Sequence, residues 1–136
     1  MPTDTSATNQ ALVVTIPATP APALSPNARA HWRTKHREAT ELNSVARWST
    51  VNTLAQRGMR GTWTGPITLH WIVAWGKGRK IMDQDNLIAS LKHAQDGIAG
   101  AIGIDDKAFI VGSVSQDRDP DGIGFIRVAL EQEVAE

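Results

Sequence analysis

Nine residues constrain this chain more than any others. In ITLHWIVAW, residues 67–75, Ile67, Leu69, Trp71, Val73 and Trp75 alternate with Thr68, His70, Ile72 and Ala74. A period of two puts all five large apolar side chains on one face of an extended strand. Such a face has to be covered, so the chain needs a sheet with other elements packed on at least one side. Gly65-Pro66 breaks the chain just before it.

The remaining elements follow from similar patterns. Ala11–Pro17 (ALVVTIP) reads as a strand from its β-branched content. Residues 18–26 hold Pro20, Pro22 and Pro26 and are expected to form an extended connection without regular structure. A helix is expected over about His36–Gln56, with Leu42, Val45, Trp48 and Val51 as its apolar positions and Gly58 as its stop. A second runs from Asp85 or Asn86 to Ile102, with Leu87, Leu91, Ala94, Ile98 and Ala101 as its stripe and Gly103 at its end. Strands near Phe109–Ser115 and Gly124–Glu131 flank the turn-rich DRDPDG. The order β-α-β-α-β-β implies an α+β domain, two main helices on a mixed sheet, spanning residues 11–136 after a polar, disordered tail over 1–10. A chain of 136 residues is long enough for one such core.

Composition matters mainly for what it removes. With no cysteine there is no disulfide framework, thiolate metal site or cysteine nucleophile. No apolar run approaches the ~18 residues of a membrane span, and the N-terminus lacks a signal-peptide pattern, so a cytoplasmic protein without membrane contact is expected. Net charge is zero but unevenly spread. Arg29, Arg33, Lys35, Arg37, Arg47, Arg57 and Arg60 face only Glu38 and Glu41 in their segment, whereas acidic residues predominate from Gly61 onward. A nucleic-acid-binding metal nuclease needs both kinds of region: cations for phosphates and carboxylates for the metal. A random surface distribution fits the charge equally well.

The stretch MDQDNLIASLKHAQDGIAGAIGIDD, residues 82–106, carries the chemistry. Asp83 and Asp85 follow the cationic turn GKGRK, which contains Lys77, Arg79 and Lys80. If the chain is still extended there, the two carboxylates point the same way, and the helix with its following loop can return Asp106 to their side. Three oxygen donors of this kind suit Mg²⁺, or Mn²⁺. The structural alternatives are a helix N-cap for the first pair and a polar turn for Asp105-Asp106. Lys92 shares a helical face with Asp85, Ala89 and Asp96; it can reach a bound phosphate or pair with Asp96. Phosphate binding is assigned to Arg29, Arg33, Lys35 and Arg37 where the first helix begins, and to Lys77, Arg79 and Lys80.

Three blocks, VVTIP…SPNARAHWR, DQDNLIASLKHAQDGI and GIDDKAFIVGSV, together resemble the RusA-type Holliday junction resolvases of phages, prophages and bacteria. The resemblance covers about half of the chain, and its DxDN–helix–DD centre is the most specific part. It implies a homodimeric α+β endonuclease of DNA recombination and repair that binds four-way junction DNA and uses Mg²⁺ for paired nicks. By motif, Asp83, Asp85 and Asp106 fall on the family's metal positions, and Asn86 on the motif asparagine. Where the best-known member has a functional lysine this chain has Ala89, and Lys92, three residues on, is the natural substitute. The Trp71/Trp75 face and the helix around Trp48 are candidates for a dimer surface, or equally for the core of one subunit. Two other readings stand beside the nuclease: a DNA-junction-binding protein without cleavage, and a hydrolase of small phosphoesters. No P-loop or HExxH pattern is present, and the four histidines lack metal-ligand spacing.

Overall fold

The computed structural model describes residues 9–58 and 63–133. Residues 1–8 of the expected tail and Arg60 lie outside the described residues, while Asn9 and Gln10 already belong to a strand. The elements run β1 (Asn9–Ile16), α1 (Trp32–Arg57), β2 (Ile67–Trp75), α2 (Gln84–Ile102), β3 (Phe109–Arg118) and β4 (Phe125–Glu133). The four strands form one sheet in the order β1-β4-β2-β3. β4 is antiparallel to both neighbours and β2 runs parallel to β3, so the sheet is mixed and the fold is α+β, as the element order implied.

One face of the sheet is the core. The five alternating residues of β2 are at most 1% exposed and meet Leu12, Val14 and Ile16 of β1 and Ile126, Val128 and Leu130 of β4. From the helices come Leu42, Ala46 and Leu54 of α1 and Leu87, Leu91, Ala94 and Ile98 of α2. Trp71 and Trp75 are therefore spent inside one subunit, and Trp75 Nε1 donates to Gln116 Oε1 at 2.8 Å, so that its burial leaves no unmet donor.

Three expectations need correction. α1 starts at Trp32, four residues before the apolar stripe suggested, because His31 Nδ1 accepts the Arg33 amide and caps it. Its buried stripe is Leu42, Ala46, Thr50 and Leu54, and Trp48 stands 65% exposed. Thr50 can occupy that stripe because its hydroxyl donates back to the Ala46 carbonyl at 2.8 Å. The proline-rich connection contains a 3₁₀ turn, Pro22–Leu24, which buries Leu24 and brings its carbonyl within 3.2 Å of the Ser90 hydroxyl of α2. No helix among the described residues is long and apolar enough to cross a membrane.

α1 and α2 approach closely where Gly97 meets the α1 backbone: a Cβ there would collide with the Asn43 carbonyl oxygen and sit 3.0 Å from the Arg47 amide nitrogen. Gly97→Ala is expected to lower unfolding free energy by about 1–3 kcal/mol, the usual cost of overpacking between rigid backbones. Urea denaturation checks it. An unchanged midpoint would show that the helices are free to move apart.

Candidate active site

β2 and β3 are parallel neighbours, so the chain between them must travel back along the sheet, and α2 is that return path. The segment Lys77–Asp83 leaves the far end of β2, and Asp106 precedes the near end of β3, which begins level with Ile67.

Asp83 is the N-cap residue of α2, in an extended conformation, and its carboxylate makes no capping hydrogen bond. The structural alternative of a side-chain cap therefore does not hold for it. The Met82–Asp83 backbone is held from β3: Gln116 Oε1 accepts the Met82 amide at 3.0 Å and Gln116 Nε2 donates to the Met82 carbonyl at 2.8 Å. Gln84 Nε2 adds a bond of 3.0 Å to the Val114 carbonyl. Asp85 lies one residue further, in the first turn of α2, exposed. The chain between the two aspartates is thus turning into helix rather than extended, and both carboxylates sit at the positive end of the α2 dipole. Asp83 and Asn86 line an open cavity of about 460 Å³ with Ser25, Arg79, Lys80 and Met82.

Asp106 is elsewhere. It opens the 3₁₀ turn Asp106–Ala108 beyond the C-terminal end of α2, beside Asp105 and Asp96. Asp105 caps that turn, accepting the Lys107 amide at 2.9 Å, which confirms the polar-turn reading for this residue alone. The carboxyls of Asp105 and Asp96 and the partial desolvation of the cluster hold the Asp106 pKa above the ordinary carboxylate value. Asp96 stands eleven residues after Asp85, about 16 Å along the helix at 1.5 Å per residue. The structure thus brings Asp83 and Asp85 to one end of α2 and Asp106 to the other. Oxygen ligands of Mg²⁺ lie about 2.1 Å from the ion, so these three residues of one chain do not form a complete site for it. Among the described residues no other group of three or more His, Asp or Glu side chains has metal-ligand placement either.

Lys92 is exposed midway along α2, about 10 Å from Asp85, and among the described residues it forms no ion pair with Asp96. The three turn cations divide. Lys77 and Lys80 are exposed. Arg79 is a structural residue: it donates to Thr19 Oγ1 at 3.2 Å and to the Pro20 carbonyl at 2.7 Å, and its guanidinium lies 4.7 Å from the Trp75 ring centre. Burial lowers its pKa from the usual arginine value. Arg118 stands by the same turn, its Nη1 donating to the Arg79 carbonyl. No local sequence signal marks Arg118 or Gln116, because only the β2–β3 pairing brings them here. Arg29, Arg33 and Arg37 are exposed and Lys35 half-buried around the start of α1, whose first turn has no acidic residue. Helix dipole and side chains there have the same sign and jointly attract anions.

No family model matches this chain. An uncharacterized protein of Xylella fastidiosa is 33% identical over 102 residues, which is 72% of this chain and 63% of that protein. The chain therefore spans less than two thirds of the relative's length.

Two outcomes follow from this geometry. Arg79→Ala should destabilise the fold by about 1–3 kcal/mol, through loss of its charged hydrogen bonds and the Trp75 stack, whereas Lys77→Ala/Lys80→Ala should leave the thermal midpoint unchanged. Equal midpoints for both variants would remove the distinction drawn here. Because the Asp106 pKa is raised in the fold, its contribution favours the folded state while it is protonated and is lost as pH rises through that pKa. Asp96→Asn should bring the Asp106 pKa down towards the ordinary value and improve stability at neutral pH. Carboxyl-carbon NMR titration measures the first effect, and pH-dependent melting the second.

Proposed function

We propose that the protein is a Mg²⁺-dependent, structure-specific DNA endonuclease of the RusA-type resolvase kind, acting on four-way junctions as a two-fold homodimer. The observation that carries this reading is the polarity of α2. Asp83, its carboxylate free of any capping bond, and Asp85 stand at its start, with Lys80 lining the same cavity as Asp83, and Asp106 stands in an acidic cluster at its end. The second copy is what reconciles the two ends. β3 is an edge strand, with Ile110 53% and Val111 40% exposed, and such an edge is a template for pairing. A copy added antiparallel there reverses its α2. The partner's Asp106 end then lies towards the end of β3 where Gln116 clamps Met82 next to Asp83. Two sites arise by symmetry, the number that paired nicking requires. An ion in such a site would be Mg²⁺ or Mn²⁺ and would supply neutralisation of charge on the phosphodiester. In this chain Lys77, Lys80 and Arg118 would hold the phosphates next to the cut, while Arg29, Arg33, Lys35 and Arg37 extend the footprint along the arms. Lys92 substitutes for the lysine absent at Ala89.

The separation of the carboxylates within one chain is also what a binding-only protein would show, and one experiment distinguishes the two. Labelled four-way junction and matched duplex are incubated with Mg²⁺ or EDTA and with Asp83→Asn, with Asp106→Asn, or with the two co-refolded. Each variant alone should fail to cut the junction. The mixture should recover about a quarter of wild-type nicking, since a mixed dimer keeps one intact site. No cutting by the wild type supports the binding-only protein. Cutting by the wild type without recovery in the mixture would refute the shared site.

A further inference from the structure

Beside the cavity that holds Asp83 lies a second depression, and the two adjoin at Ser25. It measures about 350 Å³ and is open; Lys35 and His36 of α1 face His93 of α2 across it, and among the described residues no carboxylate lines it. Positions 32, 35, 36 and 39 fall on one face of a helix, so Trp32 continues the same stripe of α1 as Lys35, His36 and Ala39. Trp32 is 66% exposed. Its ring is not loose: the His31 ring stacks on it at 5.7 Å and the Arg33 guanidinium lies 5.4 Å from its centre.

We infer that this groove binds one unpaired nucleotide of DNA, its phosphate held by Lys35, His36 and His93 and its base stacked on Trp32. The inference rests on the nucleic-acid reading above and adds a substrate feature to it. A lysine and two imidazole N–H donors without a carboxylate select an anion, and an exposed indole beside them selects a flat π face. A nucleotide offers both, but only when it is unpaired. In duplex DNA each base face is covered by its neighbours, and a free face exists where strands cross or fray. A strand passing Asp83 would enter this groove directly, because Ser25 lines both depressions.

The test uses fluorescence anisotropy with the full chain, a labelled oligo-deoxythymidine and a fully paired duplex of equal length. Trp32→Ala should weaken oligonucleotide binding by roughly 5- to 100-fold, the range seen when one base loses an aromatic platform, and leave duplex binding nearly unchanged. Trp32→Phe should restore most of the affinity. Lys35→Ala should flatten the salt dependence by about one contact, and His36→Ala/His93→Ala should weaken binding of the same oligonucleotide. Unchanged oligonucleotide affinity in Trp32→Ala overturns the inference, as does an equal loss on duplex. A fall in dimer mass without a loss of affinity overturns it too, assigning Trp32 to self-association. If wild type leaves the junction uncut while Trp32→Ala still loses oligonucleotide binding, the nuclease reading fails and the nucleotide site stands. Junction cutting with unchanged oligonucleotide affinity gives the reverse.

Discussion

Parallel strands that lie side by side cannot be joined by a tight turn, and the β2–β3 pair imposes that condition on everything chemical in this chain. The connection must return along the whole length of the strands, and α2, nineteen residues long, is what returns it. Its start is therefore fixed at the end of the sheet reached by Trp75, and its finish at the end where Phe109 begins. Asp83 and Asp85 belong to the first end and Asp106 to the second. Their separation follows directly from the strand pairing.

The same pairing explains how the exposed end is kept in shape. Gln116 reaches over from β3 to hold both backbone groups of Met82 and the indole nitrogen of Trp75, so one side chain ties the core to the loop before Asp83. Arg79 ties that loop to the proline-rich connection through Thr19 and Pro20. A loop anchored from two sides presents Lys80 and Asp83 on a firm base, although both side chains reach into solvent. Lys80 and Asp83 are thus held in place by contacts that Arg79 makes within the segment and Gln116 makes from β3.

Charge is clustered rather than evenly spread. The start of α1 is cationic, the GKGRK turn sets Lys77 beside Asp119 and Asp121, and the carboxyls of Asp105 and Asp96 raise the Asp106 pKa. Such a cluster repels phosphate by itself, and it loses that repulsion when a cation or a basic surface covers it. The exposed apolar residues of β3 lie near the acidic end, where the sheet has no further strand. Exposed apolar side chains and unpaired backbone thus coincide on the outer edge of β3.

Much of the fold was legible in residue order. The alternation from Ile67 to Trp75 matches β2 to the residue, and Gly58 and Gly103 end their helices in the left-handed conformation that glycine tolerates. These are local patterns, and local stereochemistry suffices to produce them. The start of α1 was misplaced because its first turn carries no apolar stripe and is held by a histidine cap. Trp48 was assigned to a buried stripe by spacing alone, yet which side of α1 meets the sheet depends on packing against α2 around Gly97. The sequence by itself determined which residues carry the charge and oxygen donors: the DxDN and DD aspartates and the cations of the first helix and the turn. Only the tertiary structure decided which of them meet. It tied Arg79 to Thr19, Pro20 and Trp75, brought Arg118 to the turn and Asp96 to Asp106, and kept Asp106 from Asp83. The physical reason is that a side chain's partners across a sheet or between helices are set by strand pairing and helix direction, and neither is encoded within the few residues that form a motif.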